Sequence, residues 1–251
     1  MIGALGPALA EPGLPFAAAV SLLAGLVYGF AGFGSALIFI PLATLVLPPA
    51  LAIAAFSLSA FASLVTVVPG AWPVAERRAV AVMLGVSILV TPLGVLVLRL
   101  APEEVLRSIV AVLTLATLAA LAAGWRVPVG AGLGARAGVG ALSGLAGGAT
   151  GLNGPPVILF NLGTEGQPVA VTRANLAVFL TLSSLSILPQ LWAQGLLPAR
   201  AIGIGAVLLV PYGIGTWAGV RLFRPERAGL YRRIAYALIG GAGLAALPVW
   251  T

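Results

Sequence analysis

Cysteine, histidine, aspartate and lysine are all absent from this chain. Structural zinc, haem and iron–sulfur centres take their ligands from Cys and His, and nucleophile–base pairs of the Cys/His or Ser/His/Asp kind need residues missing here. Charge of either sign is scarce as well. Charged residues make up 8% of the sequence, every acid being glutamate and every base arginine. What is abundant is apolar: 61% of the 251 residues are hydrophobic, and the mean hydropathy is +1.14. That composition belongs to polytopic membrane proteins, and it points to one integral domain, residues 1–251, with no soluble module. The net charge of +7 is spread over connections between apolar spans, so it reads as topology and not as a nucleic-acid-binding surface. The opening MIGALGPALAEPGLP has no basic cluster ahead of an apolar core, so no cleaved signal peptide is expected.

Apolar segments run roughly over residues 14–47, 49–69, 79–98, 106–124, 138–162, 168–192, 201–222 and 230–248. The stretch from Gly25 to Pro41, GLVYGFAGFGSALIFIP, recurs from Gly140 to Pro156 as GALSGLAGGATGLNGPP. Laying Gly25 on Gly140 also lays Gly29 on Gly144, Gly32 on Gly147, Ser35 on Thr150 and Pro41 on Pro156. At a slightly longer spacing Pro49 matches Pro168, Pro92 matches Pro211 and Gly94 matches Gly213. The chain is therefore read as a tandem duplication, residues 13–124 and 136–250. In each copy the centre of the glycine element is a poor helix former inside an uncharged run. Such a pattern predicts a discontinuous membrane helix whose opened backbone lines a protected site.

The first segment of each half decides the topology. If it crosses once, each half has four crossings and the halves are parallel; if it folds back at the glycines, the count is odd and they are inverted. Single crossings divide the arginines eight against five, whereas hairpins leave only Arg99, Arg107 and Arg200 opposite the other ten. The larger asymmetry is the one that positive-inside sorting favours. Residues 35–47, at ~20 Å as a helix, also fall short of a ~30 Å hydrocarbon core. The expected fold is an all-α polytopic membrane protein of two inverted repeats, each a broken-helix hairpin followed by three transmembrane helices, with both termini outside.

At such a break, the N–H groups of a half-helix N-terminus point inward and carry partial positive charge suited to an anion. Ser35 and Asn153 are placed to cap the second arms, with Pro155 and Pro156 in a first turn that tolerates proline. Glycines at this spacing also serve close helix packing, a reading that a break, a repeat and a proline together outweigh. The candidate substrate-binding residues are Gly32, Gly34 and Ser35, then Thr150, Gly151, Asn153 and Gly154, joined by Arg173 and Asn175. At the longer spacing Arg173 and Asn175 stand where the first half has Ala54 and Phe56. An arginine inside an apolar segment needs a partner, either an anionic substrate or Glu165, unless it snorkels to the cytoplasmic interface. Ser57, Ser59, Ser63, Thr181, Ser183, Ser184 and Ser186 are expected to bond locally or pack helices. Trp72, Trp125, Trp192 and Trp250 lie near segment ends as interfacial anchors would.

At GFAGFGSALIFIP followed by GGATGLNGPPVILF the sequence resembles the TauE/SafE sulfite exporter family, also called the toluene-sulfonate uptake permeases, over nearly its whole length. The resemblance implies a secondary transporter of sulfite, sulfoacetate or other sulfur-containing organic anions. It carries a site-forming role to Gly32, Gly34, Pro41, Gly147, Gly151, Asn153, Gly154 and Pro156. Ala36 stands where many members are expected to have glycine. The expectation is an inner-membrane transporter of a small sulfur-containing anion and not an enzyme, with export favoured because an anion leaving a negative interior gains ~2.3 kcal/mol per charge per 100 mV. Sulfonate import and an ion channel stand as alternatives. No cofactor and no nucleic-acid partner are expected; the lipid bilayer surrounds the protein, and a homodimer is admitted.

Overall fold

A computed structural model of the protein describes residues 9–125, 132–163 and 167–247. Helix α1 (Leu14–Ala31) begins with proline in its first turn and stops at Gly32, whose φ of 79° is left-handed. Phe33 and Gly34, the latter at φ 95°, turn the chain into α2 (Ser35–Ala43), nine residues long. At 1.5 Å per residue α2 reaches only about 14 Å. The chain has doubled back, because a Cβ on Gly13 would lie 2.8 Å from the Val46 side chain. The segment expected over 49–69 is divided into α3 (Pro49–Ser59), α4 (Phe61–Thr66) and α5 (Val68–Ala71), and α6 (Arg77–Leu100) and α7 (Glu103–Ala122) complete the half.

The second half continues with α8 (Leu133–Thr150), α9 (Gly154–Gly163), α10 (Val169–Ala193), α11 (Ala199–Leu222) and α12 (Ala228–Ala245). Helix α8 stops at Gly151, φ 73°. The Ser143 hydroxyl donates to the Asn153 carbonyl, so the chain leaving this break returns along α8. Pro155 and Pro156 sit in the first turn of α9, where their missing N–H groups cost nothing. Six helical stretches among the described residues are long and apolar enough to cross a membrane. The fold is all-α and polytopic.

Two sequence expectations change. The helix-ending glycines are Gly32 and Gly151, at the same spacing as Pro49 and Pro168, so the glycine elements register one turn away from the match of Gly32 with Gly147. Asn153 then stands opposite Gly34, whereas the match of Gly32 with Gly147 would have set it opposite Ile38. Ser35 does not cap α2 either: Gly34 holds the N-cap position without a side-chain bond, and Ser35 is the first helical residue.

A Cβ on Gly29 would meet Gly219 Cα at 2.7 Å, and one on Gly148 would meet Gly94 Cα at 2.8 Å. Each half's opening helix thus lies backbone-to-backbone on a helix of the other half, α1 on α11 and α8 on α6. Gly25 faces Tyr212 and Gly29 faces Thr216, so α1 and α11 run the same way; Gly140 faces Met83 and Gly148 faces Thr91, so α8 and α6 do too. Buried Glu11 pairs with Arg200, tying the starts of α1 and α11 together. On α6, Pro92 has no N–H to offer Ile88 O, and Gln190 Nε2 supplies the bond at 3.1 Å. Against these, α10 opposes the α3–α5 path: its start lies beside Thr66 to Val74, and Thr181 and Ser184 lie beside Ala60 and Ser63. The short arm α2 is enclosed, with Ile38, Phe39 and Ile40 wholly buried, while α6 and α7 present Leu89, Leu93 and Val112 outward.

Candidate functional site

The glycines fall into two groups with different work. Gly25, Gly29, Gly140, Gly144 and Gly148 sit inside helices, and a Cβ on any of them would come within 2.5 Å of a backbone oxygen of the facing helix. Those five pack helices, as small residues in membrane spans do. Gly32, Gly34 and Gly151 have positive φ and break the chain. Packing and breaking are both written into the same seventeen-residue element.

The two breaks meet. Gly34 and Ser35 from the first, with Asn153 and Gly154 from the second, line one internal cavity of about 20 Å³, room for about one water. Ser35, Ala36 and Leu37 form the first turn of α2, whose N–H groups have no partner one turn earlier in the helix. Gly154 opens α9 on the other wall. Two half-helix starts therefore face a shared space, a setting that favours negative charge. Around it stand Tyr28, Ser63, Thr181, Ser184 and Tyr212. Asn153 Nδ2 donates to Ser183 Oγ at 3.0 Å and Ser184 Oγ at 3.2 Å, which fixes the second tip to α10. The Tyr28 hydroxyl bonds Ala177 O at 2.7 Å and Thr181 Oγ1 at 2.8 Å, fixing the first tip to the same helix. No charged side chain among the described residues lines this cavity.

The remaining sequence candidates lie elsewhere. Thr150 Oγ1 donates to Ala146 O at 2.7 Å and accepts from Leu152 N at 3.3 Å. Gly151 looks toward Ile40 and Ile53. Gly32 is covered by Arg173, whose Cγ would be 2.6 Å from a Cβ placed there. The Arg173 guanidinium donates to Gly29 O and stacks 4.2 Å from the centre of the Phe223 ring. Its partner is thus the carbonyl end of α1, where a helix carries partial negative charge. It lines a second, larger cleft of about 440 Å³ whose other walls, among them Val67, Val74 and Phe223, are mostly apolar. Asn175 lines neither space: Oδ1 accepts the Glu76 N–H at 2.7 Å and Nδ2 donates to Glu76 Oε2 at 3.3 Å, closing the start of α6. Gln167 Nε2 donates to the same carboxylate at 3.0 Å. Glu165 and Trp250 lie outside the described residues.

Ser59 and Ser186 bond locally to Phe56 O and Ser183 O, as polar residues in apolar helices are expected to. Ser63, Thr181 and Ser184 instead line the cavity. The two tyrosines were not singled out by sequence, although Tyr28 stands within the repeated element, one turn before the break, as its sole aromatic hydroxyl.

The family model described as Sulfite exporter TauE/SafE matches residues 17–246. No curated protein matches the chain, and no solved structure does.

Proposed function

The chain belongs to the sulfite exporter TauE/SafE family, and from that premise we propose that this multi-pass membrane transporter moves sulfite or a small organosulfur anion of the sulfoacetate or sulfonate type out of the cell. The observation that carries the reading is the meeting of two half-helix starts at one uncharged cavity ringed by hydroxyl and amide groups. Sulfur oxyanions present three oxygens to such donors, and with no carboxylate on the wall nothing there repels them. Room for one water is too little for sulfite, so binding requires the two tips to part. Tips carried by different halves suit alternating access.

Inverted halves are part of the proposal. Opposed directions of α10 and the α3–α5 path support them, as does the junction of Asn175 with Glu76, which brings Arg173 to the side of Arg77 and Arg78. Single-crossing halves would have kept those arginines apart. The arginine-rich side is then cytoplasmic and both termini face out. Purified protein reconstituted into liposomes with labelled sulfite tests the function: saturable flux, competed by sulfoacetate and abolished by Gly34→Val, is expected. Absence of flux for sulfite and for every sulfonate tried, from folded protein, would overturn the proposal.

A further inference from the structure

Ala177 and Thr181 are one turn apart on α10, yet the first lines the larger cleft and the second lines the tip cavity. The Tyr28 hydroxyl holds both. Its neighbour Gly29 gives its carbonyl to Arg173, which lines the cleft. The wall between the two spaces is therefore the end of α1 clasped to α10 by the bonds of Tyr28 and Arg173. Tyr28 is 2% exposed and fills the tip-cavity side of that wall. Arg173 lines the cleft, and its Nε is buried without a hydrogen-bond partner. A cation with an unmet donor, set in an apolar chamber of about 440 Å³, suits an anion carrying a small apolar body.

We propose that the cleft and the tip cavity are successive chambers of one path, that Arg173 holds the anion in the cleft, and that Tyr28 is the partition between them. The inference rests on the transporter reading and adds the route. An anion that draws the guanidinium toward itself weakens the bond to Gly29 O, so substrate binding favours release of the first tip from α10. A ligand shifts an equilibrium only through contacts that differ between the two states, and this is such a contact.

The natural absence of cysteine makes the partition measurable. Ala174→Cys reports the cleft and Ser63→Cys the tip cavity. In purified protein the sulfonate-bearing reagent 2-sulfonatoethyl methanethiosulfonate is expected to modify Ala174→Cys at least about tenfold faster than Ser63→Cys, each tenfold being 1.36 kcal/mol of barrier. Adding Tyr28→Ala should speed modification of Ser63→Cys by a similar factor, and Tyr28→Phe, which drops only the hydrogen bonds, should speed it in part if the alanine variant does not fold. Sulfoacetate, which does not react with the reagent, should protect Ala174→Cys, and Arg173→Gln should remove the protection. An unchanged Ser63→Cys rate in a folded Tyr28 variant overturns the partition. Missing protection in protein that still carries sulfoacetate into liposomes overturns the role of the cleft alone, whereas missing protection together with missing flux overturns the transporter reading itself.

Discussion

A single methyl group placed on Gly29 tests whether the two halves are held together through their glycines. The Cβ would lie 2.4 Å from Thr216 O, 2.7 Å from Gly219 Cα and 2.7 Å from Val220 N. All three are backbone atoms of α11, so no side chain can swing aside. Carbon contacts are comfortable near ~3.5–4.0 Å, which means α1 and α11 must part by about 1 Å along the whole meshed stretch. Overpacking of this kind costs about 1–3 kcal/mol, set against a helix-propensity gain of up to about 1 kcal/mol for Gly→Ala. The net expectation is a loss of roughly 1–2 kcal/mol, a fall in Tm of about 2–8 °C for a chain of this size. Gly148→Ala should lose as much, since its Cβ would lie 2.5 Å from Thr91 O and 2.8 Å from Gly94 Cα on the mirror contact. Gly85 sits in α6 with open space where a methyl group would stand, no neighbouring heavy atom lying within 4 Å, and Gly85→Ala is the control, neutral or stabilising. Thermal melting of the purified proteins in one detergent gives the comparison. A Gly29→Ala protein that melts with Gly85→Ala would refute the close crossing.

Asn175→Ala should lower stability by about 0.5–2 kcal/mol, the usual range for losing one or two hydrogen bonds, with sulfite affinity unchanged; weakened affinity in a stable protein would return Asn175 to the binding set. Arg173→Lys keeps the charge but not the planar fork, so both it and Arg173→Gln should weaken sulfite binding in isothermal titration, Gln by about tenfold or more. Equal affinities in all three proteins would remove Arg173 from the path. Ala75→Cys should face inside and Gln194→Cys outside, an impermeant thiol reagent labelling only Gln194→Cys in intact cells; labelling of both, as parallel single-crossing halves require, would reject the hairpin topology.

Both breaks were legible because the cost of glycine in a helix leaves a mark in the sequence. Their register was not, since Gly32 has two glycines, Gly147 and Gly151, as equally good matches on paper. Only the conformation separates them: Gly151 has positive φ and Gly147 stays helical. The candidate cavity was half legible. Gly34, Ser35, Asn153 and Gly154 come together because each flanks a break. Thr150 and Gly151 flank a break too, but their turn faces Ile40 and Ile53, a matter of helix rotation that spacing along one chain does not encode. Arg173 and Asn175 are two residues apart, hence well separated around α10, and they serve the cleft and Glu76 respectively. Tyr28 was hidden because an aromatic in an apolar helix looks like core until its hydroxyl finds Thr181, far along the chain.

The exchange of helices between halves also bears on how the protein is made. Gly29 leaves the ribosome roughly 190 residues before Gly219, and at ~5–20 residues per second that is roughly 10–40 s during which α1 has no surface to mesh with. Until then its open glycine face, and the short arm α2 behind it, must be sheltered by lipid, water or the insertion machinery. The second half has no such wait, because α6 is already in the membrane when α8 emerges. Synthesis therefore ends with α11 closing over a hairpin made at the beginning, and a chain cut before α11 leaves that hairpin exposed to membrane quality control.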